Sequence, residues 1–181
     1  MHRAAHPVHV TLRARLRSLR SQHVIKTVLG ALRASRRAGF RIVHYSVQEN
    51  HVHLLVEAED KSQLSSGMRG LMVRLARRVN RLLFRSGPFW ADRWHGTALS
   101  SPRQVRNALV YVLQNRNKHS LGQRGELDPL SSAQWFNGFA QPLPRSFRGA
   151  LPQANAPPQT WLLNIGWRRH GLIDVKEVPH A

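Results

Sequence analysis

The eight residues Asn50–Glu57, read Asn-His-Val-His-Leu-Leu-Val-Glu, constrain the fold of this chain more than any other stretch. As a strand they alternate. Val52, Leu54 and Val56 turn to one side, and His51, His53, Leu55 and Glu57 to the other. Two histidines at i and i+2 then stand on one sheet face about 7 Å apart, a spacing at which two imidazoles share one cation. The apolar neighbours predict a buried strand. The pattern gains weight only in company, because the chain holds 11 His among 181 residues.

The elements around this strand are legible in order. Val8-His9-Val10-Thr11-Leu12 alternates after Pro7 and predicts a first strand. A helix capped by Ser18 or Ser21 runs to about Arg37 and stops at Gly39. Phe40–Val47 is β-branched and aromatic, and Gln48-Glu49-Asn50 is a break of hairpin length leading into the histidine strand. Asp60–Ser86 places Leu64, Met68, Leu71, Met72, Leu75, Val79, Leu82 and Leu83 at helical spacing, until Gly87-Pro88 breaks it. A loop bearing Trp90, Arg93 and Trp94 follows, then a short strand over 96–100. The two tryptophans suit either base stacking or a place in the core. Ser101, Pro102 and Gln104 open a further helix running to about His119, with Val105, Leu109 and Val112 as its buried stripe. The order is strand, helix, strand, strand, helix, strand. It predicts an α+β fold: a ferredoxin-like βαββαβ antiparallel sheet with helices on one face, plus the added helix and a C-terminal tail.

Residues 1–120 form the expected main domain. Residues 121–181 form an extension with a proline-rich linker (Pro142, Pro144, Pro152, Pro157, Pro158) and a short helix over 160–170 that docks on its own domain or on a partner subunit.

Charge sets the partner class. Lys and Arg number 28 against 9 Asp and Glu, a formal net charge of +19. Only Lys26, Lys61, Lys118 and Lys176 are lysine, and arginine binds phosphate as a planar fork. Nucleic acid is the expected partner. On the long helix Arg69, Arg74, Arg77, Arg78 and Arg81 read as a phosphate-binding face, joined by Arg93 and Lys118. With no cysteine, disulfides, thiolate zinc sites and a cysteine nucleophile are excluded. No apolar run approaches the roughly 20 residues that span a bilayer. The expectation is a soluble cytoplasmic protein, associated with the nucleoid and not with a membrane.

A second constellation joins the histidines. Asn107, Tyr111 and Asn115 recur every fourth residue beside the buried stripe, with Lys118 continuing the line. Imidazole and amide oxygen suit a divalent ion, Mg²⁺ or Mn²⁺. A tyrosine hydroxyl, with an ordinary pKa near 10, attacks phosphate only with help from a cation. The stretches Ser46–Glu57 and Val110–Asn115 resemble the single-tyrosine transposases of the HUH superfamily, and within it the REP-associated tyrosine transposases. The resemblance covers roughly residues 6 to 120. It implies that His51, His53 and Asn115 hold the metal and that Tyr111 cuts single-stranded DNA beside imperfect hairpins, leaving a 5′-phosphotyrosine and a free 3′-OH. It also implies a homodimer. The insertion-sequence branch has Gln where Asn115 stands, and the REP-associated branch often has Asn-Pro where this chain has Asn115-Arg116. The same layout also serves non-catalytic modules that bind hairpin DNA or RNA, which is the alternative reading.

Overall fold

The computed structural model of the chain describes residues 3–115, 127–143, 147 and 151–179. Its elements are β1 (Val8–Arg13), α1 (Gln22–Arg33), β2 (Phe40–Val47), β3 (His51–Ala58), α2 (Lys61–Leu82), β4 (His95–Ala98), α3 (Pro102–Leu113), a 3-10 turn (Ser132–Trp135), α4 (Trp161–Asn164) and a second 3-10 turn (Gly166–His170). The four strands form one antiparallel sheet in the order β2-β3-β1-β4, the βαββαβ arrangement the sequence predicts. The histidine strand is therefore central, paired with β2 on one side and β1 on the other.

Period-two alternation divides the sheet between two cores. Val8, Val10, Leu12, Val52, Leu54 and Val56 pack under α1 and α2. Leu55 and Val43 pack on the opposite side with α3 and the C-terminal tail. β2 crosses between the two through a bulge. Its register against β3 shifts between Ile42 and His44, so both Val43 and His44 turn toward the tail while Ile42 and Tyr45 stay under the helices. α2 approaches the sheet closely because Gly67 lacks a Cβ, which would lie 2.3 Å from the Phe40 ring. Asp60 caps α2 by accepting from the Gln63 amide at 2.7 Å. Trp90 and Trp94 pack half-buried against the first core, and the Trp90 indole donates to the Met72 carbonyl at 3.0 Å.

The proline-rich segment is not a loose tether where it is described. Ala154, Asn155 and Ala156 are buried, and the Ala156 amide donates to the Ile42 carbonyl at 2.8 Å along the β2 edge. The Arg36 guanidinium donates to the Asn155 carbonyl at 2.6 Å. Beyond it, α4 docks on its own domain. Buried Glu57 accepts from the Gln159 and Thr160 amides, each at 2.9 Å, and from the Thr160 hydroxyl at 2.8 Å. Leu162, Leu163 and Trp167 then enter the second core. A further clamp joins the tail to the start of α1: fully buried Asp128 takes a bidentate pair of bonds from Arg20 at 2.7 and 2.9 Å.

Two tests follow from this packing. Glu57→Ala strands three donors at the start of α4, and the expected loss is about 3 kcal/mol of stability. Limited proteolysis should cut the variant within 151–170 before the rest of the chain; an unchanged digestion pattern would contradict the clamp. The second concerns His44, whose Nδ1 lies 3.1 Å from the Ser132 hydroxyl and whose ring packs edge-on against Phe136. Burial pushes its pKa down to about 3. As pH falls, the unfolded chain takes up this proton first, so stability is full above about pH 6.5 and drains toward pH 3. His44 should contribute a loss of about 3 kcal/mol between pH 7 and pH 4, read from urea melts. His44→Asn should flatten that slope.

Candidate active site

The sheet face beneath α3 gathers polar groups from two strands. β1 and β3 pair so that Thr11 stands opposite His53 and Arg13 opposite His51, while His9 stands opposite Leu55. Alternation then brings His9, Thr11 and Arg13 to the same face as His51 and His53. The His51 and His53 rings are stacked 6.1 Å apart and nearly parallel, at 6°. The His53 Nδ1 lies 3.2 Å from the Thr11 hydroxyl. His53 is buried and His51 half-buried, open toward solvent at the start of its strand.

α3 brings Tyr111 onto this face. Ser101 caps the helix by accepting from the Gln104 amide at 3.3 Å, and Pro102 occupies the first turn. Val105, Leu109 and Val112 bury the helix against the sheet and tail. Tyr111 is half-buried. Its ring meets His53 edge-on at 5.1 Å and 85°, and meets His9 at 5.4 Å and 61°. His9 and His53 are themselves 5.7 Å apart. Tyr111 thus closes a three-ring cluster with histidines from two strands.

His9 is the member that the apolar pattern of β1 does not mark. Val8, Val10 and Leu12 drew attention to the apolar side of β1, and His9 lies on the other. The signal was present, because the predicted topology makes β1 the neighbour of β3. Burial lowers the basicity of His9, and among the described residues its Nε2 has no hydrogen-bond partner. Burial, followed by the charge of Arg13, also lowers that of His51. Both shifts favour neutral imidazole, the form that accepts protons and coordinates cations.

The line of Asn107, Tyr111 and Asn115 is less uniform than its spacing predicts. Asn107 is exposed, and α3 ends at Leu113. Gln114 leaves the helix at φ −121 and ψ 22, its amide held to the Asp174 carbonyl at 2.6 Å. Asn115 is buried beyond that break. Tyr111 and Asn115 are therefore not side by side on one continuous helix. Lys118 and the expected end of the helix lie outside the described residues.

Among the described residues, no group of three His, Cys, Asp or Glu side chains forms a metal site. The donors that fit a divalent ion are the His51 and His53 imidazoles, with an Asn115 amide as the candidate third. The arginines of the long helix lie elsewhere. α2 covers the sheet face opposite Tyr111, and Arg69, Arg77, Arg78 and Arg81 are exposed along a groove of ≈ 580 Å³. Arg74 is half-buried and donates to the Ser35 hydroxyl at 2.7 Å, tying α2 to α1. Arg93 is exposed in the loop before β4.

A four-stranded antiparallel sheet with a histidine pair on its central strand and a tyrosine helix laid across it defines an α+β protein of the Y1 transposase fold. The sequence profile of IS200-like transposases matches residues 4–115, and the chain belongs to that family. Its fold is also similar to a solved structure described as the REP-associated tyrosine transposase bound to a REP hairpin. The two share 17% identity over 88% of this chain and 90% of the other, with a TM-score of 0.59. A comparison with curated protein sequences finds no match.

The three-ring cluster predicts measurable coupling. A double-mutant cycle of His9→Ala and Tyr111→Ala, read by chemical denaturation, should give an interaction of about 0.5–1.5 kcal/mol. Additive losses would mean that the rings do not support one another.

Proposed function

We propose that the chain is a metal-assisted single-tyrosine DNA strand transferase, acting on single-stranded DNA beside hairpins. The observation that carries this reading is the edge-on contact of Tyr111 with His53, which joins two sequence motifs on one sheet face. In the step proposed, the Tyr111 oxygen attacks a DNA phosphorus. The Tyr–O–P bond forms as the P–O3′ bond breaks. The 3′ oxygen leaves with its electron pair and takes a proton, and the phenol proton passes to solvent or a neutral imidazole. The products are a 5′-phosphotyrosine and a free 3′-OH, and the preserved ester energy drives rejoining without ATP.

A divalent ion, Mg²⁺ or Mn²⁺, held by His51 and His53 with Asn115 as third ligand, would neutralise charge developing on the phosphate. Thr11, beside the His53 Nδ1, holds that ring in orientation. His9 positions the Tyr111 ring from below. Tyr111 meets histidines of its own chain, which supports a site built in cis.

The basic surface supplies affinity. Arg69, Arg77, Arg78 and Arg81 on the back of the sheet, with Arg74 at the groove wall, would track phosphates of a stem. Arg93 and Lys118 complete the proposed set. The fold neighbour is described as bound to a REP hairpin, which supports hairpin DNA as the ligand class here. A homodimer is also proposed: the sheet order ends at β4, whose residues are exposed, while the tail covers the other edge. Cytoplasmic, nucleoid-associated DNA is the proposed setting, and no described helix is long and apolar enough to cross a membrane.

The second reading is a hairpin-binding module that no longer cuts. The break at Gln114, which separates Asn115 from Tyr111, favours it.

The deciding experiment incubates end-labelled hairpins flanking the gene with protein and Mn²⁺ or Mg²⁺, followed by a denaturing gel. The wild-type chain should form a covalent adduct. Tyr111→Phe should lose it, a fall of at least a thousandfold, and keep hairpin binding. His51→Ala combined with His53→Ala should remove the adduct and its metal dependence. Tight binding with no adduct across several hairpins and both metals would establish the module reading instead.

A further inference from the structure

The end of α2 carries a combination that the transferase reading does not use. Phe84 is the one described non-glycine residue with positive φ, at 50°. L side chains are crowded there, and glycine or asparagine usually takes such positions. Its ring is also 99% exposed. The turn that presents it is tied down: the Arg85 amide donates to the Asn80 carbonyl at 2.8 Å, and the Asn80 side chain donates to the Gly87 carbonyl at 3.1 Å. A fixed turn thus holds a strained residue with an aromatic ring in water. Both features oppose folding, and among the described residues no contact of the ring offsets them.

The surroundings of the ring are cationic. Arg81 is exposed in the turn before it. Arg85 follows it; its guanidinium is folded against the β1 exit, with Nη1 buried and Nη2 donating to the Arg15 carbonyl at 3.5 Å. The same loop is zipped to the chain leaving β1: the Arg15 amide donates to the Phe89 carbonyl at 2.7 Å, and the Ala91 amide to the Arg13 carbonyl at 2.8 Å. Arg13, Arg15 and Arg17 are all exposed along that exit, and Arg13 pairs with His51. A run of guanidinium groups therefore leads from the histidine face to the Phe84 turn. Asp92 is the acidic residue in this loop.

We propose that Phe84 is a stacking platform for an unpaired base, with Arg13, Arg15 and Arg17 carrying the phosphates between it and the histidine face. A single strand offers both a bare base face and a flexible backbone, whereas a duplex hides its base faces except at its ends. Arginine forks suit the phosphates and the phenyl ring suits any base, so the contact is tolerant of sequence. The direction of the strand rests on the transferase reading; the stacking does not.

The test measures binding of a labelled oligothymidylate of 20 nucleotides by anisotropy, using the full chain in a Tyr111→Phe background so that no cleavage intervenes. Phe84→Leu and Phe84→Gly should each weaken binding about tenfold, while Phe84→Trp should retain affinity and lose tryptophan emission on binding. The slope of log affinity against log salt should not change for these variants, because no phosphate contact is removed. It should fall by about 1.4 for Arg15→Ala with Arg17→Ala. Phe84→Gly suits the positive φ, so its Tm should equal or exceed that of the parent. Equal affinities for the Gly, Leu and Trp variants would overturn the inference. So would unchanged binding together with a lower mass by light scattering in Phe84→Gly, which would assign the ring to contact between copies. Normal adduct formation with no stacking effect defeats this inference alone. Stacking with no adduct defeats the strand-transfer reading alone.

Discussion

The pairing of β1 with β3 is the constraint on which the rest depends. Its register sets Thr11 against His53 and Arg13 against His51. A slip of one residue would turn His9 and Thr11 under α1 and α2 and expose Val8, Val10 and Leu12 beneath α3. That slip is resisted from both sides. One face of each strand is bound into a core of valine and leucine, and the other carries the Tyr111 cluster. The apolar pattern thus does more than stabilise the sheet; it aims the imidazoles. Burial lowers the basicity of His9 on β1, and burial followed by the charge of Arg13 lowers that of His51 on β3.

The second core gives the tail a structural reason to exist. α3 alone covers only part of the face that it lies on. Phe136, Phe139, Leu162, Trp167 and Ile173 fill the remainder, around the bulge that turns Val43 and His44 toward them. Glu57 and Asp128 then pin the tail through charge-assisted bonds at two separate points. A tyrosine helix packed on one side only would rock. Buttressed by the tail, and held at its end by Gln114 on the Asp174 carbonyl, it keeps its ring on His53.

Much of this was legible in the sequence, for identifiable reasons. β2 was read with its bounds as they stand, and the βαββαβ order followed from local patterns alone. The histidine strand and Tyr111 stood out because they combine chemistry with spacing. His9 was missed because half of a strand's information lies on the face that its apolar residues do not mark. The helix stop at Leu113 was not legible; it coincides with a bond from the Gln114 side chain to the Asp174 carbonyl, far along the chain. The proline-rich segment was read as a linker because composition describes flexibility in water; it does not register an edge strand waiting for a partner such as the Ala156 amide. Val43, which broke the alternation of β2, was the visible trace of the bulge.

The arginines of α2 separate two things that net charge runs together. Four of them are exposed on the back of the sheet, and the tyrosine cluster is on the front. No single phosphate touches both. Coulomb attraction between exposed charges fades over about 10 Å at ordinary salt, so in the proposed transferase arginines on the far side of the sheet would contribute little to the chemistry on the histidine face. Their proposed influence is on encounter and retention of a polyanion. The chemistry must then be supported locally, by groups on the front face itself. Among the described residues, Arg13 is placed for such a role, because it stands opposite His51 on the neighbouring strand and is exposed. The charge that, after burial, depresses the basicity of His51 would be available to a phosphate in the proposed site.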